Sequence, residues 1–159
     1  MTNNDILRRL RYTFDLSDAQ VIAIFAQGDL SVSREQISNW LKKDDDPALQ
    51  SLNDLPFASF LNGFISHRRG KKEGEQPKPE KRLNNNMILR KLKIALDLKD
   101  VDMLEVVALA DFNLSKPELS AFFRKPGHKH YRECKDQVLR NFLNGLQAKY
   151  RPQSAPSAD

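Results

Sequence analysis

Apolar side chains recur at spacings of three and four along almost the whole chain, while strand-like alternation is scarce, so the pattern predicts helices throughout. Ile6, Leu7, Leu10 and Phe14 form the stripe of a first helix over residues 4–15. A second helix follows Asp15-Leu16, carries Val21, Ile22, Ile24 and Phe25, and ends near Gly28. Ile37, Trp40 and Leu41 mark a third, and Phe57, Phe60, Leu61 and Phe64 a fourth. The four stripes then return with every position offset by 82, residue 3 recurring as residue 85. They read Ile88, Leu89, Leu92 and Leu96, then Met103, Leu104, Val106 and Val107, then Leu119, Phe122 and Phe123, then Leu139, Phe142, Leu143 and Leu146.

Residues 3–69 therefore repeat at 85–151 without one inserted or deleted position. The expected fold class is all-α, built as two tandem copies of a small four-helix module. A module of this size buries only a limited core, so the copies are expected to pack on each other as a pseudo-twofold pair. The chain divides into a first helical repeat (1–69), a charged Gly/Pro linker (70–84), a second repeat (85–151) and a tail (152–159) rich in Pro, Ser and Ala that is expected to be disordered.

Polar residues punctuate this pattern. Asn3-Asn4 and Asn85-Asn86 stand where caps of the first helix of each copy are expected. Ser33-Arg34-Glu35-Gln36 and Ser115-Lys116-Pro117-Glu118 both read as S-x-x-[EQ] capping boxes opening the third helix, which Lys42-Lys43 and Arg124-Lys125 close. Between the third and fourth helices the copies diverge, from Asp44-Asp45-Asp46-Pro47 to Pro126-Gly127-His128-Lys129-His130. Gly63 and Gly145 recur inside the fourth helix, where glycine is unfavourable, and predict close backbone packing against a neighbour.

Charge and composition narrow the functional classes. The net charge of +5 is unevenly spread, at −3 over residues 1–66, +4 over 67–82 and +4 over 83–159. No run approaches the length of a membrane helix, and the polar start is unlike a signal peptide. With a single cysteine, Cys134, that excludes an internal disulfide, the expectation is a soluble cytoplasmic protein.

Because the copies align, each tests the other's candidate chemistry. His128, His130 and Cys134 have metal-ligand chemistry, with His130 and Cys134 on one face if the segment is helical, but their counterparts are Asp46, Ala48 and Leu52. No metal site is expected from them. Asp15, Asp18 and Asp29 recur as Asp97, Asp100 and Asp111 at helix ends, where carboxylates cap turns more readily than they catalyse. His67 aligns with Lys149, and no nucleophile, phosphate-loop or dinucleotide motif is present, so neither an enzyme nor a cofactor is expected.

Positive charge is the surface feature that does recur. Arg8 and Arg11 on the first helix correspond to Arg90 and Lys93, and His67-Arg68-Arg69 after the fourth corresponds to Lys149-Tyr150-Arg151. Arg8, Arg11, Arg68, Arg69, Arg90, Lys93 and Arg151 are accordingly the candidate nucleic-acid contacts, through phosphates rather than bases. The stretch Gln20–Leu41 is helix-turn-helix-like, although its turn is long and the outward residues of the third helix change between copies.

The paired openings Asn3-Asn4-Asp5-Ile6-Leu7-Arg8 and Asn85-Asn86-Met87-Ile88-Leu89-Arg90, with the elements Phe60-Leu61-Asn62-Gly63 and Phe142-Leu143-Asn144-Gly145, resemble the YehS-like family. That family comprises bacterial proteins of about this length with two tandem helical domains of unknown function. The resemblance covers nearly the whole chain and implies an all-helical cytoplasmic bacterial protein, with no assigned activity or cofactor to carry over. The reading is a non-enzymatic protein associated with RNA or DNA; the alternative is a helical interaction module with a protein partner in the groove between the repeats.

Overall fold

The computed structural model describes residues 1–152, and the tail expected over 152–159 lies, beyond Pro152, outside the described residues. Among them the chain forms eight helices and no strand. The first repeat contributes α1 (Asn3–Thr13), α2 (Asp18–Gln27), α3 (Arg34–Trp40) and α4 (Asp54–Arg69). The second contributes α5 (Asn85–Ala95), α6 (Asp100–Leu109), α7 (Lys116–Phe122) and α8 (Asp136–Tyr150).

Five of the eight helices, α1, α2, α3, α5 and α7, start at a residue whose side chain accepts from a first-turn amide. Both expected capping boxes form, Ser33 with Gln36 and Ser115 with Glu118, and two more join Ser17 to Gln20 at α2 and Thr2 to Asp5 at α1. The caps of α1 and α5 are not the expected asparagines but Thr2 and Asn84, whose side chains accept from the Asp5 and Met87 amides. Asn3, Asn4, Asn85 and Asn86 sit inside the first turn and reach elsewhere. Asn4 Nδ2 donates to the carbonyls of Trp40 (2.9 Å) and Gln50 (2.8 Å), while its Oδ1 accepts from the Leu52 amide at 2.9 Å. Asn86 makes the same three bonds to Phe122, Arg132 and Cys134. These two buried side chains tie the first helix of each repeat to the end of the third and to the loop that follows.

The helix ends show a second departure from expectation. The first helix stops at Thr13, and Asp15, Asp29, Asp97 and Asp111 all take the left-handed conformation, with φ between 51° and 64°. Around each, the following amide bonds back across the last turn, as Leu16 N–H does to the Arg11 carbonyl at 3.0 Å and Leu30 N–H to that of Phe25 at 3.0 Å. Such an ending usually takes glycine, and aspartate tolerates it better than most side chains. Gly28 is not the left-handed residue, its φ being −91°. A Cβ there would lie 1.8 Å from the Ser59 carbonyl oxygen, one on Gly63 1.8 Å from that of Ile24, and one on Gly145 1.9 Å from that of Val106. The glycines thus let α2 and α4, and likewise α6 and α8, approach backbone to backbone.

One continuous apolar core runs through both repeats, from Ile6, Phe25 and Phe60 to Leu89, Val106 and Phe142. The first helix of each repeat packs on the fourth helix of the other, α1 on α8 and α5 on α4, which is the expected pseudo-twofold pairing in reciprocal form. Polar contacts repeat the exchange. Arg9 bonds to Asn144, and at the equivalent place Lys91 Nζ bonds to Asn62 Oδ1 at 2.6 Å. The Met1 ammonium meets Asp136 at 3.1 Å where the Leu83 amide meets Asp54 at 2.9 Å. The linker is laid on this frame through Glu80, which pairs with Lys91 at 3.1 Å.

Candidate nucleic-acid interface

Arg8 and Arg11 lie three residues apart on α1 and project from one face, as do Arg90 and Lys93 on α5. The aspartate turn after α1 then folds the chain back beneath them. Arg11 Nε donates to the Leu16 carbonyl at 3.1 Å and its Nη2 pairs with Asp18 at 2.9 Å; in the second repeat Lys93 pairs with Asp100 at 2.8 Å. Arg8 bonds to the Lys42 carbonyl and to Asp5, and pairs with Asp44 at 3.0 Å. Arg90 instead donates to the Phe123 carbonyl at 2.6 Å, with its guanidinium 5.7 Å from the centre of the Phe123 ring.

The third cation at each place comes from the other repeat. Arg151, just past α8, donates to the Tyr12 carbonyl at 2.7 Å, covers the Tyr12 ring at 4.1 Å and reaches Asp15 at 3.4 Å. Arg69, at the end of α4, pairs with Asp97 at 2.5 Å. The result is two equivalent clefts. The first, of roughly 580 Å³, is lined by Arg8, Arg11, Tyr12, Asp15, Leu41 and Arg151. The second, of roughly 350 Å³, is lined by Arg69, Arg90, Lys93, Ile94, Asp97 and Phe123.

Six of the seven cations expected from sequence are therefore brought together, three to a cleft. Arg68 stands apart, its guanidinium 5.2 Å from the Phe14 ring and 5.7 Å from that of Tyr150, its own counterpart in the second repeat. Arg9 and Lys91 recur among the basic residues of the same two helices but are not among the candidate contacts, and the fold shows that they cross from one repeat to the other.

The clefts differ in charge. The first sets Arg8, Arg11 and Arg151 against Asp5, Asp15, Asp18 and Asp44. In the second, Met87 and Pro126 occupy the places of Asp5 and Asp44, leaving Arg69, Arg90 and Lys93 with Asp97 and Asp100 alone among the described residues. Positive charge thus exceeds negative in the second cleft alone. Partial burial works against the Asp5 carboxylate, but bonds from Thr2 and the neighbouring Arg8 hold its carboxyl below the usual range, so its charge persists.

The remaining candidates resolve into structure. Asp15, Asp29, Asp97 and Asp111 occupy the left-handed helix ends, and Asp18 and Asp100 pair with cations of the clefts. The segment from His130 to Cys134 is not helical, so no helix face joins the two residues. His128 and His130 are exposed, whereas Cys134 is buried, its thiol pushed up to about 12 by burial and by the nearby Asp136. No group of three or more metal-ligating side chains converges among the described residues. None of their helices is long and apolar enough to cross a membrane. α3 and α7 follow α2 and α6 after six-residue turns and are only 7 residues long, short for a recognition helix.

Residues 3–70 and 85–151 each match one family model, described as protein of unknown function (DUF1456). The chain is also similar to the uncharacterized protein YehS of Escherichia coli (strain K12). The two are 44% identical over 150 residues, which cover 94% of this chain and 96% of that protein. No solved structure matches.

Proposed function

We propose, for a chain that belongs to the DUF1456 family of proteins of unknown function, that it is a non-enzymatic protein which associates with RNA or DNA by holding phosphates in its two clefts. One observation carries the reading: six recurring cations gather three by three, and each cleft needs both repeats to be complete. Guanidinium groups suit phosphate oxygens because they present paired N–H donors in a plane. Arg69 and Arg151 are held by exposed carboxylates, and such pairs contribute only about 0–1 kcal/mol, so exchange of carboxylate for phosphate is thermodynamically easy. A cytoplasmic setting fits the buried, unpaired thiol of Cys134.

The apolar faces that a protein partner between the repeats would need are buried against one another, and the clefts that do lie there are lined by charge. The nucleic-acid reading is preferred on that ground. Its test is anisotropy of a labelled DNA duplex and a labelled RNA hairpin with the full chain at low salt. Replacing Arg69 and Lys93 by alanine is expected to weaken binding about tenfold and to reduce its salt slope by about 1 per cation removed. Replacing Arg11 and Arg151, in the cleft where carboxylates outnumber cations, is expected to do less. Binding by neither nucleic acid sinks the proposal.

A further inference from the structure

We infer that the second repeat carries an additional nucleic-acid contact with no counterpart in the first: the outer face of α7 together with the loop 124–132. The inference rests on the nucleic-acid reading proposed above, but on different residues. Lys116, at the start of α7, and Arg124, two residues past its end, converge with His130 and Arg132 around a cleft of roughly 450 Å³ whose one acidic lining residue, among the described residues, is Glu118. That carboxylate is engaged by Ser115 in the capping box, which holds it below its ordinary range.

The backbone explains the convergence. The Arg132 amide donates to the Ala121 carbonyl at 3.1 Å, strapping the loop to α7, and the Gln50 amide makes the same bond to Asn39 at 3.0 Å in the first repeat. The two repeats therefore share one frame and differ in what it displays. Over residues 34–50 the first repeat has Arg34, Lys42 and Lys43 against Glu35, Asp44, Asp45 and Asp46, a net charge of −1. Over residues 116–132 the second has Lys116, Arg124, Lys125, Lys129 and Arg132 against Glu118, a net charge of +4 with neutral histidines.

These five cations are exposed, and among the described residues none of them takes part in an ion pair. Three of them, Lys116, Arg124 and Arg132, line one concavity, where like charges repel each other and focus a positive potential that a row of phosphates neutralises. The face also adjoins the more positive of the two clefts, since Phe123 lines that cleft and the next residue, Arg124, lines this one. Together they give a polyanion one extended track on the second repeat.

The test uses matched pairs in the full chain: Lys116→Glu with Arg124→Glu, and at the aligned positions Arg34→Glu with Lys42→Glu. Thermal melting of both variants checks that each remains folded. Binding of a DNA duplex and an RNA hairpin is then measured across a salt series. The second-repeat pair is expected to weaken binding about tenfold or more and to lower the salt slope by about 2, while the first-repeat pair changes affinity by less than about twofold. Milder neutralisation, Arg132→Ala, is expected to lower the slope by about 1. Equal losses from the two pairs, or losses from cleft variants alone, overturn this inference and leave the clefts standing. Wild-type protein that binds neither nucleic acid, or that binds only anionic lipid vesicles through these residues, overturns the reading on which it rests.

Discussion

The side chains of Asn4 and Asn86 each satisfy two carbonyls and one amide of their own repeat from a buried position. Their recurrence was visible in the sequence, but an asparagine near a helix start is ordinarily a cap, and only the fold shows that Thr2 and Asn84 take that role. Removal of Asn86 strands three backbone groups inside the protein. The variant Asn86→Ala is expected to lose about 3 kcal/mol in urea unfolding, because each buried polar group left unpaired costs about 1–3 kcal/mol; a loss within about 0.5 kcal/mol is inconsistent with the clasp. The Cys134 amide belongs to the same clasp, and its thiol is buried. With the thiol pushed up to about 12, Cys134 is expected to react with a disulfide reagent at mildly alkaline pH only after denaturant is added. Rapid labelling of the folded protein contradicts that placement.

At the scale of elements, the three-and-four spacing of apolar residues located all eight helices, and both capping boxes at α3 and α7 formed as expected. What spacing could not reveal is how the helices end. Glycine is the usual left-handed terminator, so Gly28 drew attention, whereas the left-handed position belongs to Asp29 and Gly28 serves the close approach of α2 to α4. Asp29 is exposed, and among the described residues no hydrogen bond or ion pair of its side chain offsets the unfavourable backbone. Asp29→Gly is therefore expected to stabilise the protein by about 0.5–1 kcal/mol in thermal unfolding. A destabilised variant means that the aspartate contributes something the backbone geometry does not contain. Asp15 and Asp97 occupy the same conformation but also hold Arg151 and Arg69, so the same change at either is expected to give a smaller gain.

At the scale of the whole molecule, the offset of 82 predicted two copies and their small size predicted that they pair, but periodicity carries no information about which helix meets which. The reciprocal packing of α1 on α8 and α5 on α4 makes each repeat the missing wall of the other and builds both clefts across the junction. The candidate cations were legible because they recur; their convergence was not, since Arg69 and Arg151 arrive from the opposite repeat. A fragment ending in the linker is accordingly expected to lack cooperative unfolding as a monomer by calorimetry and sedimentation. A monomeric fragment with a sharp transition contradicts the shared core. The proposed function rests on the same arrangement: three cations gather at each junction, and the second repeat holds the surplus of positive charge. The most direct test of this account is equilibrium binding of unrelated DNA and RNA sequences by the intact chain across rising salt. The account predicts similar affinities for unrelated sequences and a log–log salt slope of about −3 or steeper; binding that is absent, or insensitive to salt, contradicts it.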